Sequence, residues 1–215
     1  MTKSLKGSNN ISLGSVLIAN LAAYYALIQG DAIVGLNFIA LLNNWQQILP
    51  AGFTLILVGI VNAQLSANAK ARIVFTRWND PLPGCRAFTE LVKTDTRISL
   101  SKLKKEVGTF PTSPSKQNAL WYSLYKSIES EPAVEQVHKS FLFTRDYACL
   151  SLFIIVIFGI LGWFQIISTK AYLIYLGFLI GQFVFVCRAA RIHGNRFVTT
   201  VLASKSVGAE GGTNE

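Results

Sequence analysis

The chain has 215 residues, 51% of them hydrophobic and only 14% charged, against roughly 25% charged in ordinary soluble domains. So few charges cannot cover a soluble surface, which excludes an ordinary soluble domain and points to an integral membrane protein. The net charge is +9, and in a membrane protein an excess of Lys and Arg is first a signal of topology.

The N-terminus carries Lys3 and Lys6 and then an apolar stretch, Ile11 to Gln29. The stretch is long, holds Asn20, Tyr24 and Tyr25, and lacks a small-x-small cleavage site. It reads as a retained membrane helix rather than a signal peptide. Residues 32–49 mix apolar positions with Asn37, Asn43, Asn44, Gln46 and Gln47. They suit an amphipathic helix lying in the interface or against the bundle, with Trp45 at headgroup depth, and a fifth span is the second reading. A second span is expected from Ala51 to about Ala69, which makes residues 1–69 a first transmembrane hairpin.

Residues 70–145 form a basic insert. The stretch LSANAKARIVFTRW is expected to continue the second span as a helix, until DPLPG stops it. Pro81 and Pro83 cannot propagate a helix and Gly84 permits a turn. Ser99 can cap a helix that ends at Gly108. Pro111 and Pro114 bound the entry to another, with Trp121, Leu124, Tyr125 and Ile128 at helical spacing. A further helix starts near Pro132 and runs without a breaker into a third span, Tyr147 to about Ile167. An insert of 76 residues is marginal as a self-standing fold, so it is expected to lean on helix extensions, membrane or neighbouring subunits. The fourth span, Ala171 to about Ala190, continues as a helix to about Ser204. Residues 146–203 thus read as a second hairpin with a cytoplasmic extension, and 204–215 as a disordered tail. The expected fold is an all-α membrane protein: four transmembrane helices in two hairpins, with a small helical insert between helices two and three.

Basic residues set the orientation. Lys3 and Lys6 precede span one, thirteen Lys or Arg fall in 70–145, and four follow from Arg188. Only Lys170 lies on the other side of a four-span layout. Both termini and the insert are therefore expected in the cytoplasm, with the spans in a bacterial inner membrane.

No catalytic motif stands out, and the chain reads as a non-enzyme without cofactor or metal. Cys85, Cys149 and Cys187 are isolated and read as reduced thiols. Nothing in the spacing of Cys85, His138 and His193 suggests a metal site. The spans contain Asn20, Asn62, Gln64, Gln165 and Gln182 but no ionisable residue before Arg188. Interhelical hydrogen bonding is one reading; the other is a polar bundle interior, with Asn62 and Gln182 facing it. Gly177 and Gly181 form a GxxxG pattern that allows close helix approach. In the insert, Arg77, Arg86 and Arg97 with Trp121 and Tyr125 are the candidates for binding an anionic ligand, by bidentate Arg contacts and stacking. The alternative is headgroup contact for the charges and a core role for the aromatics. His138 reads as structural. Asp146 is placed to pair with Arg188 or Arg191 at the membrane boundary.

The layout, a small helical bundle with a cytoplasmic basic insert, resembles several unrelated bacterial membrane proteins, among them small effectors of anti-phage defence. The likeness is one of arrangement, with no shared motif. It implies a sensor–effector whose insert binds an anionic ligand or protein partner and whose oligomeric bundle alters permeability. A non-catalytic anchor or scaffold for a soluble partner is the second reading, and a membrane enzyme acting on lipid the third. The expected partners are membrane lipid, further copies of the chain and a soluble cytoplasmic protein, with nucleotide or nucleic acid left open as ligand.

Overall fold

The structure, a computed structural model, describes residues 5–28, 53, 56 and 59–208. The expected interfacial helix at 32–49, most of the second span and residues 209–215 lie outside the described residues. The described chain is all-helical. Its elements are α1 (Leu5–Ile28), α2 (Ala67–Phe75), two short 3-10 turns (Pro83–Arg86 and Leu91–Lys93), α3 (Leu100–Val107), α4 (Pro114–Ser127), α5 (Pro132–Gln165) and α6 (Thr169–Gly208). Among the described residues three helices, α1, α5 and α6, are long and apolar enough to cross a membrane.

The chain divides into two compact units, 1–66 with 146–186 and 67–145 with 187–215. Long helices α5 and α6 contribute to both.

The first unit is held by a cluster of Tyr24, Ile154, Phe158, Ile166, Tyr175 and Leu179. Tyr24 packs on Phe158 with ring centroids 4.6 Å apart, and its hydroxyl donates to Gln165 Oε1 at 2.9 Å. That bond joins α1 to α5 where a bare hydroxyl in hydrocarbon would be costly. The turn from α5 to α6 is closed by Ile166 N–H on the Gly162 carbonyl and Tyr172 N–H on the Ser168 carbonyl, both at 2.9 Å. Around this core the outward side chains are apolar: Val156, Ile160, Phe164, Leu173, Phe178 and Val184 are all exposed. A belt of that kind marks a surface meant for lipid or another protein, not for water.

In the second unit the local signals set the helix ends. Helix α3 starts after Ser99 and stops at Gly108, whose φ of 75° closes the helix as its N–H bonds the Lys104 carbonyl. Pro114 occupies the first turn of α4 after Ser113, where its missing N–H costs nothing. Pro132 opens α5 in the same way.

Two expectations change here. The second span was expected to run unbroken into the insert. Instead residues 59–64 are helical, Leu65 and Ser66 interrupt, and α2 begins at Ala67. Leu65 N–H turns back to the Asn62 carbonyl at 3.3 Å, and Ser66 stands where a helix favours a serine. The redirection also comes earlier than DPLPG. Helix α2 ends at Phe75, and Thr76 and Asp80 take φ of 51° and 46°. Such a φ is unfavourable for a β-branched residue; Thr76 Oγ1 donates to the Phe75 carbonyl and receives Arg191 Nη2 at 3.2 Å. Gly84 is not a left-handed turn residue. It is needed for close approach: a Cβ there would meet the Asn118 side chain and come within 2.8 Å of Trp121 Cε3.

The insert does bury a core, and α6 completes it. Val74, Phe88, Leu103, Trp121 and Val134 are buried with Phe197, Val198, Val201 and Leu202 of α6. Gln117, 1% exposed, is the polar centre of one wall: its Oε1 accepts Phe88 N–H at 3.0 Å and Thr89 N–H at 3.2 Å, while its Nε2 donates to the Thr112 carbonyl. Ser99 N–H donates to Ser206 Oγ at 3.2 Å and Lys205 pairs with Glu106 at 3.3 Å, tying α3 to the end of α6. Residues 204–208, expected to be disordered, are helical as the end of α6, and Ser206 is fully buried.

Candidate functional site

The five proposed ligand residues all fall in the second unit, in three different environments. Arg77 and Arg86 flank Glu90. Arg86 Nε lies 3.3 Å from Glu90 Oε2 and Arg77 Nη2 4.0 Å from it. Arg77 is half exposed, whereas the Arg86 side chain is 10% exposed. The Arg86 guanidinium lies over the Phe75 ring, and its Nη1 is buried without a partner. Burial, reinforced by the nearby Arg77 charge, pulls the Arg86 guanidinium below its ordinary pKa.

Trp121 and Tyr125 are core residues. Trp121 meets Phe197 edge-on at 5.1 Å, and Tyr125 does the same at 5.2 Å. The His138 ring stacks on Phe197 with centroids 4.6 Å apart, and its Nδ1 lies 3.2 Å from the Tyr125 hydroxyl. Burial pushes the Tyr125 phenol above its ordinary pKa. Both faces of this aromatic set are taken by protein, so the rings serve as packing and not as an open stacking platform.

Arg97 is different. Its guanidinium grips Asp95 bidentately, Nη2 to Oδ2 at 2.7 Å and Nε to Oδ1 at 3.0 Å. Hydrogen bonding from Arg97 holds the Asp95 carboxyl below the usual carboxylate range. The pair lines a polar groove of about 480 Å³ that also includes Asn195, Arg196 and Thr199 of α6. Sequence reasoning counted Arg196 only as a topology charge and passed over Asp95 and Asn195. The D-T-R spacing, with Asp95 two residues before Arg97, was the one available signal.

In the first unit Gln182 Nε2 donates to the Tyr147 hydroxyl at 3.0 Å. Both line a mostly apolar cavity of about 630 Å³, together with Asn20. Asn20 Nδ2 donates to the Val16 carbonyl at 2.9 Å, and its Oδ1 is buried without a partner. Asn62 is also buried, and its Oδ1 has no partner among the described residues. At the proposed membrane-boundary pair, Asp146 is buried. Arg191 donates through Nε to the Val74 carbonyl, an orphan at the end of α2, as well as to Thr76. The three cysteines are buried, and none forms a disulfide among the described residues. Among the described residues no three of His, Cys, Asp and Glu gather as metal ligands would.

Comparison with known protein families, with curated proteins and with solved structures finds no match for this chain.

Proposed function

We propose that the chain is an integral membrane sensor–effector. The basic unit built on residues 70–145 takes up an anionic ligand or a soluble protein, and an oligomeric helix bundle alters membrane permeability in response. Four spans in two hairpins, with both termini and the insert on the cytoplasmic face of a bacterial inner membrane, complete the reading; a role in anti-phage defence rests on layout alone. The observation that carries the effector half is the polar set Asn20, Tyr147 and Gln182 around one cavity in an otherwise apolar helical unit. Hydrogen-bonding groups within apolar spans are costly unless they are satisfied or used, and pore linings use them. The test is inducible expression with a membrane-potential dye. Depolarisation is expected with the native chain and is expected to fall away in Asn20→Leu with Gln182→Leu. An unchanged potential in the native chain would overturn the reading.

One observation favours the scaffold reading. Trp78 is 80% exposed, and the Arg72 guanidinium lies 5.5 Å from its ring. An exposed aromatic beside a cation is a common interface anchor. Capture of a defined soluble partner that is lost in Trp78→Ala, with no ion flux from the purified protein, would favour an anchor over an effector.

A further inference from the structure

The groove beside Asp95 is built from two elements. Asp95 and Arg97 come from the segment before α3, and Ile192, Asn195, Arg196 and Thr199 from successive turns of α6. Its charges are unequally matched. Asp95 is neutralised by the Arg97 fork, whereas the Arg196 side chain has no hydrogen-bond or ion-pair partner among the described residues. On the adjacent residue, Asn195 Oδ1 is buried and has no partner. The groove therefore offers one uncompensated guanidinium and the Nη1 N–H groups of a second, whose Nε and Nη2 are taken by Asp95 and Thr200. Exposed Ile192 supplies an apolar wall.

We propose that this groove binds a phosphate monoester. The proposal deepens the sensor reading and rests on it: it assigns the anionic ligand to the Arg97–Arg196 groove rather than to Arg77 or Arg86. The phosphate sits against Arg196 and reaches Arg97. Arg forks match phosphate oxygens bidentately. The two cations stand on different elements, so three terminal oxygens pointing in three directions serve them better than the two coplanar oxygens of a carboxylate. A cavity of about 480 Å³ holds a body as well as a phosphate and falls within the ordinary range for small-molecule sites. The Asp95–Arg97 pair is neutral as a unit, so the net charge that attracts the ligand is that of Arg196, and Arg97 adds hydrogen-bond donors. A metal cation is disfavoured by the two guanidinium groups.

The same chemistry occurs in a soluble nucleotide and in a lipid headgroup, and the experiment separates them. Full-length protein in detergent is titrated with adenosine 5′-monophosphate and with inorganic phosphate. The same protein in nanodiscs is compared with and without phosphatidic acid, whose headgroup is a phosphate monoester. The nucleotide is expected to bind at least about tenfold more tightly than inorganic phosphate, because its body adds contact with the groove wall at Ile192. Arg196→Gln is expected to weaken it by about tenfold or more. Stabilisation only by the lipid, lost in Arg196→Gln, assigns the headgroup as the source. Arg196 is exposed, so unliganded melting of Arg196→Gln should match the native chain. No binding of any probe, or binding indifferent to Arg196→Gln, overturns the site. Depolarisation without such binding removes the site and leaves the effector reading; binding without depolarisation does the reverse.

Discussion

The Arg86 guanidinium carbon lies 5.5 Å from the centroid of the Phe75 ring. A charge has been taken into the core of the second unit and given an aromatic face, the partly exposed Glu90 and no partner for Nη1. Such a group is held more by its stem and its shape than by its charge. Arg86→Ala opens a cavity under Phe75 and is expected to cost about 2 kcal/mol. Arg86→Met keeps most of the volume and removes the desolvated cation, and is expected to lie within about 1 kcal/mol of the native chain or above it. Thermal melting in detergent reads both. If the methionine variant melted as low as the alanine variant, the charge itself would be the stabilising element. Arg86→Ala is for this reason an unsuitable probe of ligand sensing.

Asp95 and Arg97 predict a pH dependence with a definite sign. The Asp95 pKa is depressed in the folded state, chiefly by the Arg97 hydrogen bond. Its stabilising effect is thus fully present above the unfolded carboxylate value of about 4 and declines as pH falls below it toward the folded value. The gap in melting temperature between the native chain and Asp95→Asn should be constant from pH 7 to 5 and should narrow steadily from pH 4 to 3. A gap that held its size down to pH 3 would mean that the pair is not formed.

What was legible in the sequence was local. Ser99, Gly108, Pro114 and Pro132 mark helix ends because capping and proline chemistry act within a turn or two. The apolar runs of α1, α5 and α6 were equally plain. The interruption at Leu65 and Ser66 carries neither Pro nor Gly, and its one local mark is Ser66, a residue favoured at helix starts. Gln117 reads as one polar residue in an amphipathic helix. Its fully buried role depends on Phe88 and Thr89, nearly thirty residues away. The candidate residues show the same limit: the burial of Arg86, Trp121 and Tyr125 depends on distant packing partners, and Arg196 reaches the groove because α6 passes the Asp95 segment.

The cytoplasmic placement of the insert can be tested by thiol labelling, though not at the native cysteine. Cys85 is buried, and burial with the nearby Asp80 charge pushes its thiol up, so it is slow to react from either side. Trp78 is exposed on the same unit. Trp78→Cys is expected to react with a membrane-impermeant maleimide in inverted vesicles and not in intact cells. Labelling in intact cells would place the insert outside and reverse the orientation drawn from the basic residues.

Glycines separate packing within one chain from packing between copies. A Cβ on Gly194 would come within 2.8 Å of both Phe141 Cε2 and Phe75 Cζ. Gly194→Ala is therefore expected to cost about 1–3 kcal/mol through overpacking. A Cβ on Gly177 or Gly181 meets no atom of the described residues within 4 Å. Leucines at both positions are expected to leave the melting temperature of the single chain nearly unchanged. If copies associate through this face of α6, the same pair should lower the mass measured by light scattering in mild detergent to that of one chain, since a leucine blocks the close approach that two small residues allow. An oligomer of unaltered mass in the double variant would show that association uses another face, and the polar set of Asn20, Tyr147 and Gln182, which shares its cavity with Gly181, would then not lie at a contact between copies.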